Sequence, residues 1–232
     1  DKHQLKETII GVHGDQRIKH ITFGFTAYTL KYNKPIVPSS EAYHVYDFKG
    51  TGNHVFSTDI QYNRNDLSIF AEAAITEINA KAFVTGAIAN ISSAISISMI
   101  YRNYEKEYQS LLSKGFSENT KTSNEKGFYT GIEIRTSKQI TFSAYADHFQ
   151  FPWCRFNIDA PSNGYDYMMQ ANWTLSKEAS MLIKFRSRMK AENNFIGTID
   201  QTMPVLYRNW RYQINYSFNQ NIEGSNRVEH VT

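Results

Sequence analysis

The chain has 232 residues, 41% of them hydrophobic and 14% aromatic, with a formal net charge of +3. That charge is too small to imply nucleic acid as a partner through this region, and no run approaches the roughly 18 apolar residues of a membrane-spanning helix. A single cysteine, Cys154, excludes an internal disulfide. A membrane crossing by strands is not excluded, because only every second residue of such a strand faces lipid.

Taken in chain order, alternation of apolar and polar residues predicts strands near 4–12, 18–32, 54–63, 67–77, 80–91 and 94–104. It continues near 127–137, 139–150, 164–176, 179–190 and 206–219, and a twelfth strand opens near 226. The clearest unit puts Phe128, Thr130, Ile132 and Ile134 on one face and Tyr129, Gly131, Glu133 and Arg135 on the other. After a turn at Ser137-Lys138-Gln139, the next run sets Ile140, Phe142, Ala144 and Ala146 against Thr141, Ser143, Tyr145 and Asp147. Successive side chains of a strand point to opposite faces, so period two means β-strand.

The connections at 13–17, 64–66, 92–93, 138, 177–178 and 220–225 are short and polar. Those at 33–53, 105–126, 151–163 and 191–205 are long, with only 78–79 tight on that side. Short turns at one end and long loops at the other predict an all-β, antiparallel up-and-down transmembrane β-barrel. The long loops would be extracellular and the short turns periplasmic. Three features favour an apolar face turned to outer-membrane lipid. Strand lengths suit a tilted crossing. Aromatics such as Tyr28, Tyr32, Tyr101, Tyr104, Trp173, Tyr207 and Trp210 stand near strand ends, where interfacial girdles belong. The run Trp210, Tyr212, Ile214, Tyr216, Phe218 is apolar along one whole face, which predicts Ile214 and Phe218 as lipid-facing near mid-bilayer. The chain reads as a single β-barrel domain over 1–232, about 12 strands of a longer barrel, with strands expected beyond one or both ends.

The stretch YRNYEKEYQSLLSKGFSENTKTSNEKGFYTGIEIR from Tyr101, with SAYADHFQFPW and DAPSNGYDYMMQ after it, resembles a family of Bacteroidetes outer-membrane proteins. Members of that family carry an N-terminal helix-hairpin-helix domain and a C-terminal β-barrel. The resemblance covers about 70 residues and implies a barrel in the outer membrane of a Gram-negative cell. It supplies no catalytic site, and the sequence contains no helix-hairpin-helix segment through which DNA binding could be inferred.

The most distinctive polar set is Lys184, Arg186 and Arg188, spaced by two and so on one face of one strand, with Arg211 on the polar face of the next. In a barrel these would line the lumen and attract anions. The plainer reading is a charge ladder neutralised by Glu133, Asp147, Asp166 and Arg135 on neighbouring polar faces. Residues 105–126, rich in Glu, Lys, Ser and Asn, read as an exposed solvated loop. Loop 151–163 differs: Phe151, Pro152, Trp153 and Phe156 predict a packed rim or plug, or a partner surface.

No catalytic residue, cofactor or metal site is expected. Asp147 and His148 are neighbours on a strand and point apart, the seven histidines lack ligand spacing, and no nucleophile motif appears. Two roles follow: a structural or accessory subunit of an outer-membrane assembly with protein partners, or a porin-like transport barrel for a small, possibly anionic solute. A lumen filled by side chains or by loop 151–163 would favour the first, and continuous water the second.

Overall fold

The computed structural model describes residues 5–196, 199–219 and 222–232. Twelve strands form one antiparallel sheet in which each strand pairs with the next in sequence. They are β1 (Glu7–Ile18), β2 (Ile21–Ile36), β3 (Gly50–Arg64), β4 (Leu67–Thr76), β5 (Lys81–Asn90) and β6 (Ile95–Tyr104). The second half comprises β7 (Glu125–Arg135), β8 (Ile140–Phe151), β9 (Ser162–Thr174), β10 (Ala179–Ile196), β11 (Ile199–Asn219) and β12 (Ile222–Val231). A single 3₁₀ turn, Ala42–His44, interrupts the β2–β3 loop. The sheet is open, with β1 and β12 as its edges. Among the described residues no helix is long and apolar enough to cross a membrane.

Short and long connections alternate as predicted as far as β10, and three expected connections differ. The turn expected at 13–17 is strand: His13 pairs with Thr26 and Asp15 with Gly24. The hairpin instead closes at 19–20, where Ile18 faces Ile21 and Lys19 takes a φ of 54°. The loop expected at 191–205 is also strand. Beyond Met189, the last β10 residue paired to β9, β10 and β11 continue as a two-stranded ribbon to Ile196 and Ile199. In such a ribbon the inward backbone groups pair across the two strands and the outward ones are left to water, so it needs no apolar face. The turn before β12 is correspondingly shorter than 220–225. Residue 4 of the first expected strand, and residues 197–198 and 220–221 of the expected connections, lie outside the described residues.

The other tips follow turn chemistry. Asn65, Asn79, Asn124 and Asn157 all adopt positive φ in connections or beside them, a conformation that asparagine tolerates better than most side chains.

The two faces of the sheet have opposite polarity, and the burial is the reverse of that in a soluble sheet. One face carries Phe23, Phe25, Phe56, Phe128, Phe142 and Trp210, all of them exposed. The opposite face carries Arg102, Glu125, Asp147 and Asp166, all of them buried. Three long loops, 37–49, 105–124 and 152–161, fold together over the long-loop end of this polar face. Tyr28 Oη lies 2.7 Å from Ser110 Oγ, Tyr104 donates to the Phe116 carbonyl, and Ala80, Ala82, Tyr104 and Tyr108 form a small apolar cluster. Segment 105–124 is therefore not the solvated loop expected: Tyr108, Thr122, Ser123 and Asn124 are buried.

The expected aromatic girdle divides between the faces. Tyr101, Trp173 and Trp210 are exposed on the apolar face, whereas Tyr28, Tyr32, Tyr104 and Tyr207 sit on the polar one. His148, Tyr165 and Tyr167 complete the apolar-face cluster near the long-loop end, with Tyr165 stacked on Tyr167 at 4.5 Å and His148 bonded to Tyr167.

Candidate functional site

The centre of the polar face is a charge network built on Arg102 of β6. Its Nε donates to Glu125 at 2.5 Å, and its Nη1 and Nη2 donate to the two oxygens of Asp147 at 2.8 and 3.0 Å. Arg102 and Glu125 are fully buried, and Asp147 nearly so. The fork geometry matches a carboxylate in bidentate fashion, and each further hydrogen bond offsets the desolvation that burial imposes. Glu125 also accepts from the backbone N–H groups of Glu118 and Asn119 at 2.9 and 2.7 Å. It thereby fastens loop 105–124 to the strands. Room for the guanidinium comes from Gly127, its register partner on β7, and Phe116 covers it from the loop, 5.2 Å from ring centroid to Cζ.

The predicted cationic set lies beside this network. Lys184, Arg186 and Arg188 share the polar face of β10, and Arg211 is the register partner of Lys184 on β11. Arg186 forms a fork with Asp166 of β9, and Arg188 reaches the same carboxylate at 3.6 Å. Arg188 and Lys190 both pair with Glu118 of the loop, Lys190 at 2.7 Å. Arg211 pairs with Glu229 of β12 at 3.0 Å. Lys184 has no carboxylate within 4.0 Å among the described residues.

Of the residues expected to neutralise this ladder, only Asp166 does so; Arg135 is itself a cation and cannot. Asp147 belongs to Arg102, and Glu133 pairs with Arg135. Around the core, Arg102, Arg186, Arg188 and Lys190 meet Glu118, Glu125, Asp147 and Asp166, four cations to four anions. Burial opposes ionisation of Glu118, but hydrogen bonds from Lys190 and Arg188 and their positive charge hold its carboxyl below the ordinary range. The Tyr108 hydroxyl in the same loop is pushed up to about 12, chiefly by burial.

Sequence reasoning missed Arg102, Glu125 and Glu118. A signal was present in Gly127 and Gly131, which open two gaps among the side chains on the polar face of β7; glycine inside a strand often marks close approach by another group. Loop partners such as Glu118, 70 residues from Arg188, carry no such local mark.

Loop 152–161 is packed. Phe151 is the last residue of β8 and is buried beside Phe149, ring centroids 5.5 Å apart. Trp153 sets its ring edge-on to Tyr46 at 5.1 Å and donates from Nε1 to the Ala42 carbonyl at 2.9 Å. Asn124 clamps the loop by accepting from Trp153 N at 2.8 Å and donating to its carbonyl at 3.1 Å. Pro152 is exposed, and Phe156, also exposed, stands nearly perpendicular to the Tyr43 ring with centroids 5.6 Å apart. His148 and Asp147 point to opposite faces, as predicted. Among the described residues no group of three or more His, Cys, Asp or Glu is placed to hold a metal. No protein-family model and no curated protein matches the chain.

Proposed function

We propose that the sheet is the wall of a transmembrane β-barrel of the bacterial outer membrane and serves as a structural or accessory subunit of an outer-membrane assembly. The observation that carries this reading is the inverted polarity: exposed Phe128, Phe142 and Trp210 on one face, buried Arg102, Glu125, Asp147 and Asp166 on the other. A soluble sheet hides its apolar face, whereas a lipid-facing wall presents it. The resemblance between Tyr101 and Gln170 points the same way, to a Bacteroidetes-type barrel with extracellular long loops.

An accessory role is favoured over transport by what fills the polar face. Compensated ion pairs and three interlocked loops occupy the long-loop end of this face, where a solute path along it would have to emerge. A transport barrel for a small anion is the second reading, and it rests on Lys184, whose ammonium faces the same side as Arg211 without a carboxylate partner within 4.0 Å. Purification from native membranes in mild detergent tests the first reading. A stoichiometric set of co-migrating proteins supports it. A lone barrel with steady single-channel conductance in planar bilayers would replace it with the second.

A further inference from the structure

Where the three long loops meet, they line a half-open cavity of about 300 Å³. That is the lower end of the range for small-molecule sites, which combine apolar walls with a few convergent polar groups. Tyr43, Tyr46, Trp153 and Phe156 provide the apolar wall, and Asn124 and Gln109 are among its polar members.

The charges lining this cavity do not balance. Asp47 is its one acidic residue, and Asp47 is already engaged by Lys121 at 2.7 Å and His44 at 2.6 Å. Lys106 places its ammonium over the rings of Tyr46 and Trp153, 4.5 and 5.0 Å from their centroids, and pairs with Glu107 at 3.8 Å, so its charge is already partly met. Arg155 is the unmatched group. Its Cζ sits 3.6 Å above the Phe151 ring, its Nε is buried without a hydrogen-bond partner, and no carboxylate lies within 4.0 Å among the described residues. The four carboxylates of the neighbouring network are each committed to other cations. A half-buried guanidinium left over from a compensated network is costly unless something anionic completes it. The fork of Arg155 suits a carboxylate.

We propose that this cavity binds a small ring-bodied carboxylate, for which the sugar acid glucuronate serves as the probe. Arg155, aided by Lys106, takes the acid group, and the exposed ring of Phe156 with Tyr43 takes the flat face of the ring. The turn that presents Arg155 is rigid: its N–H and carbonyl both bond to Ile158 at 2.9 Å, with Asn157 at a φ of 57°.

The test is isothermal titration of the detergent-solubilised chain with glucuronate, glucose and acetate. Saturable binding of glucuronate, at least about tenfold tighter than glucose or acetate, is expected. Arg155→Gln should weaken it about tenfold, the loss of one charge-assisted pair. Phe156→Ala, a change at an exposed side chain, should weaken it several-fold and guards against a folding failure in the first variant. Equal binding of glucose would overturn the role of the acid group, and equal binding of acetate the role of the ring. Absence of saturable glucuronate binding in the unaltered chain, or unchanged affinity in both variants, would overturn the site itself.

Discussion

Gly127 lies directly under the Arg102 guanidinium: a Cβ built on Gly127 would stand 2.3 Å from Arg102 Cζ. The obstacle is the side chain's own charged end, pinned by Glu125 and Asp147, so it cannot swing aside without leaving both carboxylates buried and unpaired.

Gly127→Val is therefore expected to destabilise the fold by about 3–5 kcal/mol, the range for breaking a buried ion pair on one side. Gly14→Val, where nothing lies within 4 Å of the added Cβ, should be near neutral. Urea unfolding in lipid vesicles, followed by tryptophan fluorescence, compares the two. Equal effects would show that Arg102 can relocate freely.

The register also shifts where lipid contact should matter most. Ile214 shares a row with Met181, Trp173 and Ile140, and Ile140 opens β8 straight after a short turn. Ile214 thus stands toward the short-turn end of the sheet, and in the proposed barrel it would lie away from the mid-bilayer position expected from its strand alone. Ile132 shares its row with Ile97, Ala144, Met169, Phe185 and Trp210. Ile132→Arg should cost about 2–4 kcal/mol of insertion stability, and Ile214→Arg about 0–1 kcal/mol, following the depth dependence of lipid-facing cations. Reconstitution yield and unfolding in vesicles measure both, and efficient insertion of the Ile132 variant would remove the lipid-facing assignment.

Acid should loosen the loop before it unfolds the sheet. The Glu118 carboxyl has a depressed pKa in the folded chain, so its stabilising effect is present above the ordinary carboxylate range. That effect is lost as pH falls through the folded value. Hydrogen exchange of residues 105–124 should accelerate between neutral pH and about pH 3, after correction for intrinsic exchange, given the ordinary glutamate value near 4.3. Glu118→Gln should show the faster exchange already at neutral pH, and a Glu118→Gln profile identical to that of the unaltered chain would remove this anchor.

Alternate residues of β10 should meet different solvents. In a Cys154→Ser background, Lys184→Cys should react with a water-soluble charged thiol reagent, and Phe185→Cys with a lipid-phase probe. The basis is that Lys184 is on the polar face and Phe185 on the apolar one, packed 4.3 Å from Trp210. Lipid-phase labelling at position 184 would reverse the assignment of faces.

The sheet itself was legible because β periodicity is local. Phe128 to Ile134 and Ile140 to Ala146 announce their faces without knowledge of any partner strand. The same logic correctly separated Asp147 from His148 and grouped Lys184, Arg186 and Arg188. It failed at 13–17, where Gly14 and Asp15 look like a turn but sit mid-strand, and at 191–205, where a polar ribbon needs no apolar pattern.

Period, polarity and the alternation of short and long connections were thus determined by the residues alone, since each depends on neighbours within a few positions. Which charge meets which was decided only by tertiary structure. Arg102 finds Asp147 at a separation of 45 residues and Arg188 finds Glu118 at 70. Strand register and loop path set those meetings, and moving a hairpin tip by one residue would turn every partner to the other face.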